Sequence, residues 1–195
     1  MRDRHRCPVG GPRPGRTRAD IALGVYPVSP ADLASVYATF AAGGVRSDRH
    51  VVERVTRPGG RQSYTAAPRQ RRVLADAVTA DVSTVLAEVA DNDGALPDRP
   101  AATKTGTQQY GDTDDNSDAW TAGYTPQLAA VVWVGRAEPG PIRDASGRPI
   151  QGDGLPVRMW RDFLTAALAG QPVAPLPPPA DLGSVDAGNA GPGYE

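Results

Sequence analysis

The chain has 195 residues, 39% of them hydrophobic, which is enough for one ordinary domain with a core. Its 21 basic and 22 acidic residues give a net charge of −1, which argues against a nucleic-acid partner, because such a partner requires a strongly basic face. No apolar run is long enough to cross a membrane, and the start lacks the apolar segment of a signal peptide, so the chain expressed alone is expected in the cytoplasm. Cys7 is the only cysteine, which excludes an internal disulfide.

The two ends of the chain differ in composition from its middle. Residues 1–19 hold six arginines, three prolines and three glycines with almost nothing apolar, which predicts a disordered leader. Proline, alanine and glycine dominate residues 171–195, which predicts a flexible tail. The folded part is therefore expected at residues 20–170. No metal site is predicted in the leader, because His5 and Cys7 have no further ligand residues nearby, while its arginines leave nucleic-acid binding open as an alternative.

Three segments have the apolar spacing of amphipathic helices. The first begins with Ser29 as the N-cap, Pro30 at the first helical position and Asp32 completing a capping box. The three helices are predicted at about residues 30–43, 76–90 and 156–169. Between the first two, alternating valines predict a short strand at residues 50–57, and the Gly-, Gln- and Arg-rich residues 58–72 predict a surface loop.

Three strands joined by short connections follow the second helix and predict an antiparallel meander, at about residues 101–107, 118–125 and 127–135. The last strand, Leu128 to Val134, is apolar throughout and is expected to be fully buried. All three tryptophans are assigned to the core, with a position of one face of Trp120 near a cleft left open: Trp120, Trp133 and Trp160. A solvated loop is expected at the acidic residues between the first two strands, with contact to a substrate as the alternative: Asp112, Asp114 and Asp115. Helices packed on such a sheet make this an α/β chain of the α+β type.

The first of these strands carries the candidate binding site. Lys104 is the only lysine among 21 basic residues, and it lies in the sequence Thr-Lys-Thr-Gly-Thr. An ammonium is a compact charge that can share a proton, whereas a guanidinium stays protonated. Thr103 and Thr105 flank it with hydroxyls on one side of an extended backbone, and Gly106 lets a ligand approach the main chain closely. Lys104 is therefore the candidate functional cation of the chain.

The segment Lys104-Thr105-Gly106-Thr107 resembles the Lys-Thr-Gly box of penicillin-binding proteins and serine β-lactamases. Its surroundings make the resemblance more specific. Segments similar to those of class A (bifunctional) penicillin-binding proteins occur in the same order. They are Ala22 to Gly24, Val28 to Ser35, Tyr37 to Ala41, Gly43-Gly44, Asp118 to Trp120, Gly123 to Pro126, Val132 to Gly135 and Trp160 to Phe163. The chain thus resembles the C-terminal half of a class A transpeptidase domain over residues 21–169. The resemblance implies a partial penicillin-binding-protein or serine β-lactamase-like fold.

The resemblance also implies an acyl transfer that cross-links peptidoglycan. In the family a serine attacks the penultimate D-alanine carbonyl of a stem peptide, and the amine of a second stem resolves the acyl-enzyme. β-Lactams mimic the D-Ala-D-Ala end and trap the serine. By the same resemblance Lys104 holds a proton network and attracts the substrate carboxylate, which the Thr105 and Thr107 hydroxyls bind. The backbone N–H of Thr107 is implied as an oxyanion-hole donor, and Gly106 leaves room for the substrate to pair with the strand edge.

Two boxes of the family are absent from this sequence. Ala101 stands three residues before Lys104, where Ser-x-x-Lys requires a serine, and no serine has an asparagine two positions later, as Ser-x-Asn requires. No nucleophile is therefore assigned, and the chain is expected to be a fragment, inactive alone and left with an apolar strand edge. The resemblance implies no cofactor and no metal. For the intact parent it implies the extracytoplasmic face of the cell membrane.

Two further functions stay open at this point. One is a non-catalytic structural or interaction module that reuses the fold, which predicts a monomer with cooperative melting. The other is a remnant of a serine β-lactamase or carboxypeptidase that shares only the Lys-Thr-Gly box. The segments Tyr37 to Phe40 and Trp133 to Gly135 favour the class A penicillin-binding group over the second of these.

Overall fold

The computed structural model describes residues 21, 24 and 26–183, and the predicted leader lies outside them. This part contains three helices and seven strands, and the strands form two sheets of two strands and one sheet of three strands. In chain order the elements are α1 (Pro30–Ala41), β1 (Val45–Ser47), β2 (Arg54–Thr56), β3 (Gln62–Thr65), β4 (Gln70–Arg72), α2 (Asp76–Asp93), β5 (Ala102–Gln109), β6 (Asn116–Tyr124), β7 (Ala129–Val134) and α3 (Leu155–Ala167). The three predicted helices and the three-strand meander are confirmed.

Both ends of α1 are set by local sequence signals. Ser29 Oγ accepts the backbone N–H of Asp32 at 3.1 Å and donates to the Asp32 carboxylate at 2.7 Å, which confirms the predicted cap. The helix ends earlier than predicted because Gly43 and Gly44 have φ values of +59° and +88°, which a helix cannot contain. The carbonyl of Gly44 then accepts the N–H groups of Val73 and Leu74, which ties the start of β1 to the segment before α2.

The region between α1 and α2 differs from the prediction. Instead of one strand and a loop, it holds two antiparallel strand pairs, one inside the other. The inner pair is the β2–β3 hairpin, and the outer pair is β1 with β4. The loop predicted at residues 58–72 therefore contains two strands, and the strand predicted at residues 50–57 shrinks to β2. Residues 46–65 are all exposed. An exposed hairpin needs no apolar face, so the alternation by which strands are detected is weak here.

The larger sheet has the strand order β5-β6-β7, with both pairs antiparallel. Successive side chains of a strand point to opposite faces, and Gly123 and Tyr124 of β6 show what covers each face. A Cβ placed on Gly123 would lie 2.7 Å from the Trp160 ring, so α3 packs on that face. Tyr124 contacts Tyr37 of α1 on the opposite face, with ring centroids 6.2 Å apart, and its hydroxyl contacts Ser83 of α2 at 2.7 Å.

The apolar core lies between α3 and its face of the sheet, and consists of Leu96, Ala101, Trp160, Leu164 and Leu168 with the partly buried Leu128, Ala130 and Val132. Trp160 is fully buried, and its indole N–H donates to the Ala130 carbonyl at 3.1 Å. The assignment of every tryptophan to the core is wrong for Trp133, which is 40% exposed and donates to Asp118 at 2.8 Å. Trp120 is half-buried against it.

The prediction that the last strand is fully buried is also wrong. Every residue of β7 is half-buried except the exposed Trp133. The physical reason is that β7 is the outer strand of the sheet, with β6 as its only partner among the residues described. Its apolar sequence therefore has one hydrogen-bonding edge without a neighbouring strand in this part of the chain, and an apolar edge of this kind favours pairing with another strand.

The segment after α3 returns across the molecule to α2. The Asp81 carboxylate accepts the backbone N–H groups of Ala180, Asp181 and Leu182 at 2.7, 3.0 and 2.9 Å. Arg99 donates to the Gln171 carbonyl at 3.3 Å. These contacts lie in residues 171–183, within the stretch predicted to be flexible.

We expect the Asp81 contact to weaken in acid. The backbone N–H groups of Leu182 and Ala180 hold the pKa of Asp81 below its usual range. A carboxyl group whose pKa is lowered by folding stabilises the folded state above its ordinary pKa and loses that contribution as the pH falls through the lowered value. The protection of the amides of Ala180 to Leu182, measured as their exchange rate relative to an unprotected chain at the same pH, should therefore fall below about pH 4. At neutral pH it should fall in Asp81→Ala. Asp91→Ala changes an exposed carboxylate of the same helix and is the control. Unchanged protection in Asp81→Ala would contradict the prediction.

Candidate functional site

The direction of the backbone groups along β5 follows from the β6–β7 hairpin. Thr125 and Leu128 exchange both backbone hydrogen bonds, at 2.9 and 3.3 Å. Such pairs alternate along an antiparallel ladder, so every second residue of β6 counted back from Thr125, namely Gly123, Thr121 and Ala119, bonds to β7. The residues between them bond to β5, and these are Tyr124, Ala122 and Trp120.

On β5 the same alternation sorts the Lys-Thr-Gly segment into two sets. Lys104 and Gly106 are opposite Ala122 and Trp120, so their N–H and C=O groups point into the sheet. The N–H and C=O groups of Thr105 and Thr107 point away from β6, toward the outer edge of β5. No strand among the described residues pairs with that edge. The segment therefore offers a main-chain donor and acceptor to an extended ligand.

This arrangement predicts alternating amide exchange along β5. The amides of Lys104 and Gly106 are ladder donors and should exchange slowly, whereas those of Thr105 and Thr107 should exchange at rates close to those of an unprotected chain. Hydrogen–deuterium exchange followed by NMR resolves the four amides separately. Slow exchange at Thr107 would show that its N–H is occupied, and that the outer edge of β5 is closed.

The side chains of the segment divide between the two faces of the sheet. Lys104 lies on the face of Tyr124 and α1, and the three threonines lie on the α3 face, as the strand period requires. The exposed Lys104 ammonium donates to the Thr105 carbonyl at 2.8 Å. Because that carbonyl points to the outer edge, the positive charge lies at the edge and not in the core. Thr107 is exposed, and Thr105 and Gly106 are half-buried.

Beneath the Lys104 face lies a buried cluster of hydroxyls. The hydroxyls of Ser83 and Tyr124 are 2.7 Å apart. Burial and the neighbouring Tyr124 raise the pKa of Tyr37 to about 12, and burial raises the pKa of Tyr124. Both phenols therefore stay protonated at neutral pH, and neither can serve there as a general base. Their role is to pack α1 and α2 against β6.

The α3 face of the segment is supported by a residue that sequence reasoning missed. The Gly152 amide donates to Thr107 Oγ1 at 3.0 Å, and the Gly152 carbonyl accepts from Thr121 Oγ1 at 2.9 Å. Gly152 lies in a Gly- and Pro-rich stretch before α3, where the only sequence signal is the density of glycine. That signal indicates a turn, and does not identify which strand the glycine contacts.

The loop between β5 and β6 is less open than predicted. Asp112 and Asp114 are exposed, but the Asp115 side chain is 15% exposed and pairs with Arg143 at 2.7 Å. The prediction of a solvated carboxylate is therefore wrong for Asp115. The partner stands 28 residues further along the chain, a separation at which a local pattern gives no signal. This ion pair helps to hold the stretch before α3 against the β5–β6 hairpin.

The family of the chain is shown by comparison with known proteins. The family model of the penicillin binding protein transpeptidase domain matches residues 12–148. The chain is 39% identical over 170 residues to penicillin-binding protein 1A of Mycolicibacterium smegmatis, covering 84% of this chain and 22% of that protein. It is 37% identical over 171 residues to penicillin-binding protein 1A of Mycobacterium tuberculosis, covering 84% and 21%. The chain thus spans about a fifth of the length of these curated relatives.

A solved structure gives the same result. The structure of PonA1 from Mycobacterium tuberculosis in complex with penicillin V matches with a TM-score of 0.79 at 36% identity, covering 86% of this chain and 45% of that one. In the described part of this chain, no helix combines the length and apolar character that crossing a membrane requires. Since the family model matches more than half of the residues, the chain belongs to the penicillin-binding protein transpeptidase family.

Proposed function

We propose that this chain supplies the substrate-holding strand of a transpeptidase site that cross-links peptidoglycan stem peptides. One observation carries the proposal: the outer edge of β5 presents the Thr105 carbonyl and the Thr107 N–H beside the only lysine of the sequence. An extended peptide ending in D-alanyl-D-alanine adds to this edge as a further strand. The chain's membership of the transpeptidase family gives the reaction class.

Each residue of the segment has a part in the proposed site. The Lys104 ammonium attracts the terminal carboxylate of the peptide and shares a proton network with a nucleophile that this sequence does not itself supply. The Thr105 and Thr107 hydroxyls, on one face of the strand, donate to the same carboxylate. The Thr107 N–H stabilises the oxyanion that forms during acyl transfer, a contact of a kind whose loss costs about 2.7–4 kcal/mol. Gly106 has no side chain to obstruct the approach of the peptide.

The partners follow from the same proposal. A β-lactam carries a carboxylate in the position of the peptide terminus, so the β5 edge is proposed to contact β-lactams as well as stem peptides. The PonA1 relative is described in complex with penicillin V. Stem peptides are cross-linked outside the cytoplasm, and we propose the extracytoplasmic face of the cell membrane for the working enzyme.

The test is binding of an acetylated tripeptide that ends in D-alanyl-D-alanine, followed by NMR titration of the amides. We expect the largest shifts at Thr105 and Thr107, with weaker binding of the same peptide carrying a terminal carboxamide, because the carboxamide lacks the charge that Lys104 attracts. Equal binding of the two peptides, or shifts confined to residues away from β5, would overturn the proposal.

A second experiment concerns the covalent step. The sequence contains no Ser-x-x-Lys, so the purified chain should form no stable adduct with a fluorescent penicillin. Mass spectrometry of the intact chain after incubation measures this directly. A stoichiometric adduct would show that a nucleophile has been overlooked, and peptide mapping would then locate it.

A further inference from the structure

Gly152 lies against the back of the Lys-Thr-Gly segment and bridges two strands. Its N–H donates to Thr107 Oγ1 of β5 at 3.0 Å, and its carbonyl accepts from Thr121 Oγ1 of β6 at 2.9 Å. Both threonines lie on the α3 face, so the backbone of Gly152 lies across the β5–β6 pair there. No other hydrogen bond of the Thr107 side chain is found within the described part of the chain.

Only glycine fits this position. A Cβ on Gly152 would lie 2.5 Å from the Gly106 carbonyl oxygen, 2.6 Å from the Trp120 carbonyl oxygen and 2.9 Å from the Gly106 nitrogen. All three are backbone atoms of the ladder and cannot rotate away. The glycine is therefore required by close approach to the sheet, since its φ is not in the left-handed region.

The stretch that carries Gly152 is held in place by several bonds. The Ile142 amide donates to the Asn116 carbonyl at 2.8 Å, and the Asn116 side chain donates to the Ile150 carbonyl at 3.0 Å. Arg143 adds the ion pair with Asp115 at 2.7 Å. The position of the Gly152 amide is thus fixed relative to the β5–β6 hairpin before any ligand arrives.

The bond to Gly152 decides what the Thr107 hydroxyl can do. A hydroxyl has one proton to donate and two positions at which it accepts. The Gly152 N–H occupies an accepting position and fixes the side-chain rotamer, while the proton stays available for a ligand. We propose that Gly152 is a positioning residue, which holds the Thr107 hydroxyl so that its proton is donated to the terminal carboxylate of a D-alanine-ended peptide.

This inference rests on the proposed function and deepens it, because it assigns the recognition of the carboxylate to a pair of residues 45 positions apart. A purely structural glycine would also be sensitive to substitution. The two roles differ in ligand dependence: a positioning role affects only ligands with a carboxylate, and only while the Thr107 hydroxyl is present.

The experiment is a double-mutant cycle with the acetylated D-alanyl-D-alanine peptide and its carboxamide analogue. We expect Gly152→Ala to weaken binding of the carboxylate peptide about three- to tenfold more than binding of the carboxamide. Displacement of the β5 backbone by the added Cβ affects both peptides, whereas misplacement of the Thr107 hydroxyl affects only the carboxylate. In a Thr107→Val background the same substitution should affect the two peptides equally, and Thr107→Ser, which keeps the hydroxyl, should retain the larger loss for the carboxylate.

Two variants guard against a simple folding defect. Thr121→Val removes the bond to the Gly152 carbonyl without adding a clash, and should reduce carboxylate binding in the same direction. Gly154→Ala is the matched control, because its Cβ would approach only the Gln151 carbonyl, at 3.3 Å. If the wild-type chain binds the carboxylate peptide and neither Gly152→Ala nor Thr121→Val changes that binding, the inference is overturned and the proposed function is not. Equal losses for the two peptides also overturn it, and no wild-type binding of the carboxylate peptide overturns the proposed function with it.

Discussion

Replacing Trp160 by alanine is expected to lower the free energy of unfolding by about 3–5 kcal/mol. The side chain is fully buried, and its indole N–H donates to the Ala130 carbonyl at 3.1 Å. Truncation leaves a cavity against Gly123, which has no side chain to fill it. It also leaves the Ala130 carbonyl without its indole donor. A folded domain has a total stability of about 5–15 kcal/mol, so this one change removes a large part of it.

Phe163→Ala is the matched control for this measurement. Phe163 stands one turn further along α3 and is 54% exposed, so its truncation should cost well under about 1 kcal/mol. Urea unfolding followed by tryptophan fluorescence and circular dichroism compares the two variants with the parent. Similar midpoints for the two variants would contradict the placement of the core between α3 and the sheet. The same curves test whether the chain unfolds cooperatively, as a stable interaction module would.

Lys104→Ala is expected to weaken binding of the D-alanyl-D-alanine peptide about ten- to hundredfold. The substitution removes an exposed ammonium at the outer edge of β5, and a hydrogen bond to a charged group contributes about 1.5–3 kcal/mol. The fold itself should be unaffected, because among the described residues the Lys104 side chain bonds only to the adjacent Thr105 carbonyl. Isothermal titration calorimetry with the carboxylate and carboxamide peptides measures the loss and its dependence on charge.

Two further variants sharpen this test. Lys104→Arg keeps the charge and should retain most of the affinity for the carboxylate, although a guanidinium cannot share a proton in catalysis. Arg158→Ala removes an exposed charge of α3, and serves as the control for the change in net charge. If Arg158→Ala weakened binding as much as Lys104→Ala, the effect would be a general one of charge, and Lys104 would have no special place in the site.

Local signals predict the elements that local interactions determine. Residues close in sequence determine three features that are predicted and found: the Ser29 cap, the end of α1 before its two glycines, and the three strands of the meander. Of the four strands between α1 and α2 only β2 is predicted, because β1, β3 and β4 are largely exposed and carry no apolar alternation. The prediction that Trp133 is buried is wrong, because the burial of a β7 side chain depends on which part of the strand the helices cover.

The candidate site divides in the same way. Lys104 stands out in the sequence because the other 20 of the 21 lysine and arginine residues are arginines. The Lys-Thr-Gly box around it indicates the family, which the family model confirms. Which backbone groups face the outer edge depends on the register of β5 with β6, which no spacing within β5 reveals. The contact of Gly152 with Thr107 joins residues 45 positions apart, and a glycine in a Gly-rich stretch gives no hint of it.

The return of the chain from α3 to Asp81 has a practical consequence for anyone who shortens this protein. Composition changes near Gly170, and a truncation chosen from composition would be placed there. The contacts continue to Leu182, since three amides at that end meet one carboxylate of α2. A C-terminus placed at Gly170 would remove all three backbone N–H groups that donate to Asp81, whereas one placed after Gly183 keeps them.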